Sequence, residues 1–293
     1  MPGDKYSAIW VSHTSINDFL TCPRYYYLKN VYKDKKTGHK IKIMSPPLAL
    51  GQTVHEVLDQ ISTLPTSERL RESLVIRFNE IWPKVSGKKG GFLREETELL
   101  YKNRGEEMLL RIMKNPGPIA KPAVKIKEPL PYFWLSEEKN IILCGKVDWL
   151  EYLPDSDSVH IIDFKTSKAE EKDDSLQLLI YHLLVDKTQR RDVTKASYWY
   201  LGFNDNLTPK ELPSLVDAQE KILDIAVRMK TARQLNQFTC TSESGCCACK
   251  PYEAILRGEG EFVGTDEFNA DVYIINTGST TSTAPDEEES VIL

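Results

Sequence analysis

One seven-residue stretch limits the folds open to this chain more than any other: Val159-His160-Ile161-Ile162-Asp163-Phe164-Lys165. It has the composition of a strand, and strand side chains alternate between faces. Asp163 and Lys165 therefore project one way, and Ile162 and Phe164 the other, toward a packed core. An Asp and a Lys on so apolar a strand cost free energy unless they are paired or used. The preceding stretch, Gly145-Lys146-Val147-Asp148-Trp149-Leu150, also reads as strand, and a turn-rich segment at Pro154–Ser158 separates the two. Antiparallel pairing across that short turn brings Asp148 near Asp163. Two carboxylates with room for water make a hard oxygen site suited to magnesium or manganese. Such an ion lowers the pKa of a bound water and stabilises charge developing on a phosphate. Lys165 is then placed to orient or deprotonate that water, or to hold a phosphate oxygen. A D-x-K triplet is common, and by itself it is better read as a surface ion pair.

The surroundings give the triplet its context. Ser12–Lys29 reads as helical, with Ser15 and Asp18 as a candidate capping box and Pro23 restarting or kinking the helix after Cys22. Lys33–Pro47 reads as a polar loop. Leu50, Val54, Leu58 and Ile61 form one stripe of an amphipathic helix over Leu50–Ser62. Two more helices are expected at 66–82 and 94–114, and Pro116, Pro118 and Pro122 then break the helical pattern. From about Ala123 the chain turns to strands: Val124–Leu135, Asn140–Tyr152 and Val159–Lys165 read as a three-strand meander. A helix at Asp173–Thr188, a strand at Ala196–Phe203 and a long helix at Pro213–Asn236 follow, and Glu261–Ile275 reads as a short extended piece. The order is that of a mixed α/β fold without a glycine-rich phosphate loop.

The formal charge is −5, but the C-terminal Asp286–Glu289 run supplies four of the negative charges and leaves the body near −1. Residues 276–293, rich in Ser, Thr and acid, are expected to be a disordered tail. Lys29–Lys42 holds six lysines and one aspartate, either a phosphate-contacting segment or a solvated loop. The longest strongly apolar stretch, Leu176–Val185, is half the length of a membrane span and is interrupted by Gln177 and His182. No apolar signal region follows Met1, so a cytoplasmic location is expected. Four of the six cysteines (Cys240, Cys246, Cys247 and Cys249) fall within ten residues. Such crowding points to metal or iron–sulfur ligation rather than to a disulfide framework.

Four motifs, in order, resemble the RecB-type branch of the PD-(D/E)XK nuclease superfamily, which includes CRISPR-adaptation nucleases and the nuclease domains of helicase–nucleases. They are Ser15–Arg24 with its Cys22-Pro23-Arg24, Gly51-x-x-x-His55, Gly145–Asp148 with Asp163-x-Lys165, and Gln177-x-x-x-Tyr181. The resemblance implies a restriction-endonuclease-like mixed sheet flanked by helices, with a helical N-terminal elaboration. It implies a single nuclease domain over residues 1–275: a helical part at about 12–115, a catalytic core at about 123–236 and a cysteine-rich segment at 240–252. The implied activity is metal-dependent hydrolysis of DNA, as an exonuclease on single-stranded ends in repair or recombination. CRISPR-adaptation trimming and a non-catalytic DNA-binding scaffold are the alternatives. His55 becomes a third ligand for magnesium or manganese beside Asp148 and Asp163. Gln177 and Tyr181, one helical turn apart, become residues that support the site and contact nucleic acid. Glu128, before Pro129 in the first strand, is either an approach to the metal or a plain edge glutamate.

Iron–sulfur members of that family join one N-terminal cysteine to three near the C-terminus around a 4Fe–4S cluster. Cys22, Cys246 and Cys249 match. The family's last cysteine falls near Ile255, where this chain has none, so the fourth ligand is Cys240 or, second, Cys247. Four thiolates also suit zinc, and the resemblance places iron–sulfur ahead of it. Cys144 reads as a small buried apolar residue.

Overall fold

The computed structural model describes residues 4–275; the tail expected at 276–293 lies outside the described residues. The chain opens with β1 (Ile9–Val11), α1 (His13–Thr21), α2 (Pro23–Tyr26) and a single π-turn over Tyr27–Val31. Then come β2 (Lys40–Ile43), α3 (Pro46–Ser62), α4 (Leu74–Ile81) and α5 (Glu95–Lys114). The middle of the chain supplies β3 (Tyr132–Ser136), β4 (Ile141–Cys144), β5 (Trp149–Leu153) and β6 (Ser158–Lys165). After them come α6 (Gln177–Thr188), β7 (Val193–Tyr200), β8 (Thr208–Lys210) and α7 (Leu215–Gln234). The described chain ends with α8 (Lys250–Leu256), β9 (Glu261–Thr265) and β10 (Ala270–Ile274).

The central sheet has the order β5-β6-β7-β8. β6 pairs antiparallel with β5 and parallel with β7, and α6 makes the crossover between β6 and β7. This mixed sheet, flanked by helices, is the α/β layout expected from the sequence. Alternation along β6 divides two cores. Val159 and Ile161 face a cluster built with α1, α6 and α7, while Ile162 and Phe164 face one built with α3, α4 and α5. α6 is apolar around much of its circumference because it is buried on several sides; Leu178, Ile180, Leu183, Leu184 and Val185 are all buried.

Four expectations are corrected. The three-strand meander is split between two sheets. β3 and β4 pair with each other and β1 in one sheet, while β5 and β6 belong to the central one. The chain leaves the ladder between Cys144 and Trp149, and alternation in sequence does not say which sheet a strand joins. The first of the three strands is also shortened to Tyr132–Ser136, because Pro129 and Pro131 have no N–H to give a ladder. The cap of α1 is Ser12 rather than Ser15. Ser12 Oγ accepts from the Ser15 amide at 3.3 Å, and Ser15 Oγ accepts from the Ser12 amide at 2.8 Å. Asp18 is buried and instead ties α1 to the π-turn, accepting from Lys29 Nζ (3.0 Å) and Asn30 Nδ2 (2.9 Å). Finally, the expected loop at 33–47 contains β2, which pairs parallel with β10 in a third sheet, β2-β10-β9. The partner strand lies 230 residues away, so nothing local in the sequence announces the pairing.

Candidate functional site

Ala49, Leu50, Val54, Leu58 and Ile61 bury one side of α3, which starts at Pro46 and Pro47, where a missing N–H costs nothing. His55 lies beside that stripe and reaches the central sheet. Its Nδ1 is 3.2 Å from Asp148 Oδ1. Gly51, one turn earlier, lets the helix approach the end of β6: a Cβ there would stand 3.3 Å from Thr166 Oγ1. Asp148 precedes β5, and the register Trp149↔Ile162 carries it to the level of Asp163. Its Oδ2 accepts the Phe164 amide at 2.9 Å.

On the other side of β6's end, Asp163 and Lys165 meet α6. Gln177 Nε2 donates to Asp163 Oδ1 at 2.8 Å and contacts Tyr181 Oη at 3.2 Å. Gln177 Oε1 accepts from Lys165 Nζ. Lys165 Nζ lies 3.0 Å from Asp163 Oδ2, 3.2 Å from Glu171 Oε1 and 5.1 Å from the centre of the Tyr198 ring. Asp163 Oδ2 is fully buried, yet among the described residues it accepts no well-aligned hydrogen bond. The six residues named from sequence thus form two bonded groups, His55 with Asp148 and Asp163 with Lys165, Gln177 and Tyr181, set side by side where Asp148 accepts the Phe164 amide.

The electrostatics are those of charges forced together out of water. Burial, and then the Asp148 carboxylate, push Asp163 up to about 7. Burial works against the charge on Asp148, but His55 and the Phe164 amide outweigh it and hold that carboxyl low. Burial likewise opposes the His55 imidazolium, and Asp148 outweighs it, so His55 is raised. Lys165 is raised too: Asp163 and Glu171 together exceed the burial cost.

Sequence reasoning missed Glu171 and His13. Glu171 sits in the β6–α6 loop, where its amide donates to the buried Tyr200 hydroxyl at 2.9 Å. Burial, then repulsion from Lys165, lowers the His13 pKa. Neither residue has a spacing that marks it; Glu171 looks no different in sequence from Glu170. The placement of Glu128 in a strand is corrected, and its part in the site stays a proposal. Glu128 stands in an irregular segment rather than a strand, and it lines a depression that Asp148, Lys125 and Lys146 also line, with no hydrogen bond to the site. A second groove, over His55 and Asp148, is bordered by Gln52, Lys146 and Glu267.

The sequence model of the PD-(D/E)XK nuclease superfamily matches residues 10–255. The chain belongs to the PD-(D/E)XK nuclease superfamily. Comparison with curated proteins finds no match. Membership makes this a metal-dependent nuclease in general terms, with nucleic acid as its substrate and a divalent ion in use. The donor types at hand suit such an ion, although His55, Asp148 and Asp163 are not gathered as tightly as Cys22, Cys240, Cys246 and Cys249. The donors are carboxylate oxygens and an imidazole, and buried Asp163 Oδ2 has the Lys165 ammonium beside it but no well-aligned hydrogen bond among the described residues.

The nuclease has a second group of ligand-type atoms. One ligand atom from each of Cys22, Cys240, Cys246 and Cys249 lies within 4.8 Å of all the others, the only set of three or more so tightly gathered among the described residues. Cys22 caps α2, and its Sγ accepts the Tyr25 amide at 3.5 Å. Cys249 precedes α8, and its Sγ accepts the Cys246 amide at 3.2 Å. Cys22 and Cys249 are buried with Leu28, Ile41, Tyr252 and Ile255, under the third sheet. Cys247 is exposed and outside the group, so of the two candidates the geometry gathers Cys240. Burial pushes Cys249 up to about 12; at Cys246 the Cys249 and Ala248 amides outweigh burial and bring it down to about 7. Four thiols this close cannot all ionise without a cation among them. Cys144 takes no part: burial raises it to about 11 and its Sγ faces Val11 O at 3.5 Å. No helix among the described residues is long and apolar enough to cross a membrane.

Proposed function

We propose that the chain is a magnesium- or manganese-dependent deoxyribonuclease of the RecB-type branch, acting as an exonuclease on single-stranded ends. The observation that carries this reading is the His55–Asp148 pair set beside the Asp163–Lys165–Gln177 group at the end of β6. A binding scaffold has no use for a buried Asp–Lys pair steadied from both sides. His55, Asp148 and Asp163 would hold the ion, which when bound supplies an activated water and neutralises developing charge on the phosphate. Lys165, restrained by Glu171 and Gln177, would offer its ammonium to a phosphate oxygen or to the attacking water. Tyr181 fixes the Gln177 amide and so fixes Asp163. Residues 1–275 act as one domain in this reading, because α3 completes the site and Cys22 joins cysteines from the far end of the described chain.

The test uses labelled single-stranded DNA with manganese, comparing the wild type with Asp163→Ala and Lys165→Ala. Metal-dependent cleavage by the wild type alone is expected; equal cleavage by all three sinks the assignment. Matching RNA and duplex arms establish the substrate, and metal-independent binding without cleavage would favour the scaffold instead. Trimming before CRISPR integration shares this chemistry and differs in partners.

At the cysteines we propose a 4Fe–4S cluster, on the resemblance. One observation favours zinc: ligands on a tetrahedral ion with Zn–S of about 2.3 Å stand about 3.8 Å apart, and Cys246 Sγ and Cys249 Sγ stand 3.7 Å apart. A visible absorption spectrum with iron and zinc analysis of anaerobically purified protein decides between them.

A further inference from the structure

The lysine run at residues 33–40 is left unused by the catalytic site, and the structure gives it a definite form. Asp34 builds a turn: its Oδ1 accepts the Lys36 and Thr37 amides at 2.8 and 3.2 Å, and its backbone exchanges hydrogen bonds with His39 and Gly38. Gly38, at φ +73°, supplies the left-handed residue that the turn requires. The turn is then pinned to β10. Asp271, buried, accepts from Thr37 Oγ1 at 2.6 Å, and its other oxygen lies 2.8 Å from His39 Nδ1.

The consequence is a charge imbalance. Asp34 is occupied by backbone amides, Asp271 by Thr37 and His39, and Asp266 by Lys42 Nζ at 3.2 Å. Lys33, Lys35, Lys36 and Lys40 are all exposed, and among the described residues none of their ammonium groups has a hydrogen-bond or ion-pair partner. Partial burial, then repulsion from Arg233 and Lys33, holds Lys40 below its usual pKa, as expected of crowded cations. Asp34 and Asp271 keep their negative charges and offset two of the four lysines, which leaves the turn with a net positive charge.

We propose that the Lys33–Lys40 turn is a phosphate-binding surface for a nucleic-acid strand, outside the carboxylate site; the choice of nucleic acid as the polyanion rests on the nuclease reading above. Lys33-Asp34-Lys35-Lys36-Thr37-Gly38-His39-Lys40 contains no apolar side chain to insert into a lipid surface. Four free cations on a preformed turn lose little ordering entropy on meeting a backbone of regularly spaced phosphates. Half-buried Tyr32, at the base of the turn, adds an aromatic face of the kind on which single-stranded bases stack.

The experiment measures single-stranded DNA binding by the full chain between 50 and 200 mM salt without added divalent ion. It compares the wild type, the quadruple variant Lys33→Ala/Lys35→Ala/Lys36→Ala/Lys40→Ala, and the same four positions changed to Arg. Each single-strand phosphate contact contributes about 0.7 to the slope of log affinity against log salt, so the Ala variant loses up to about 3. Its affinity at 50 mM salt falls on the order of ten- to a hundredfold, and the Arg variant keeps both slope and affinity. An unchanged slope in the Ala variant overturns the proposal, and so does an Arg variant that behaves like it. So does an Ala variant that binds DNA normally but loses affinity for anionic vesicles or an acidic peptide. Manganese-dependent cleavage by the wild type is scored separately: its absence refutes the nuclease reading, while the salt slopes still decide the turn.

Discussion

Asp163→Asn is expected to make the protein more stable while abolishing its activity. Asp163 is 1% exposed and pushed up to about 7 from an ordinary 3.8 by burial and by Asp148. A carboxyl whose pKa is raised in the fold contributes stability below its unfolded pKa and loses it as pH rises to the folded value. The penalty accumulates between about pH 4 and 7 and is complete at pH 8. At about 1.4 kcal/mol per unit, a shift of some three units is worth about 4 kcal/mol. Asparagine keeps the oxygen that accepts from Gln177 but gives up the ion pair with Lys165. The Lys165 attraction is already weighed against burial and Asp148 in that shift, so the gain stands at about 4 kcal/mol, or roughly 8–16 °C for a domain of this size. The assay is thermal unfolding at pH 8 and pH 5, with and without manganese. Without added ion at pH 8 the variant should melt above the wild type, and by pH 5 most of that difference should be gone. Manganese should raise the wild type and leave the variant where it was. A variant that melts below the wild type at pH 8, or that gains equally from manganese, would refute the view of Asp163 as a buried charge that Lys165 alone does not compensate.

Three further outcomes follow from the same geometry. Glu171→Gln removes one of the two carboxylates holding Lys165, so kcat for DNA cleavage should fall about tenfold with KM and melting temperature little changed; a rise in KM alone would place Glu171 in substrate binding instead. Cys240→Ser should lose the bound iron or zinc in metal analysis and Cys247→Ser should keep it, because Cys247 lies outside the sulfur group; retention by both breaks the four-cysteine assignment. His160 is buried between Glu151 (2.9 Å) and Ser197 (2.8 Å), and burial holds its pKa below 6.5. A lowered pKa means stability falls as pH drops below 6.5, where the unfolded chain takes up the proton first. In denaturant titrations His160→Gln should make that slope shallower, by at most one proton's share of about 1.4 kcal/mol per pH unit, and an unchanged slope counts against a neutral buried His160.

The local alternation of Val159–Lys165 determined that Asp163 and Lys165 share a face, and the structure keeps them 3.0 Å apart. The apolar stripe of α3 and the spacing of Gln177 and Tyr181 were equally legible, because helix and strand periods act over a few residues and leave a direct trace in sequence. Tertiary structure alone decided where those faces meet. Nothing in sequence distinguishes Glu171 from Glu170, and only the loop anchored by Tyr200 turns Glu171 toward Lys165. The supposed meander fell into two sheets because pairing partners are chosen by packing against α6 and α7, not by alternation. β2 was missed because its partner lies at the other end of the described chain. The cysteines show the same division. Their crowding in sequence announced a ligand set, but which four sulfurs gather depended on how Cys22, more than two hundred residues away, is carried to them by the fold. Periodicity is a local property that the chain writes into itself. Proximity between distant segments is a property of the packed core, and in this protein it decides which of the plausible residues stand together at each candidate site.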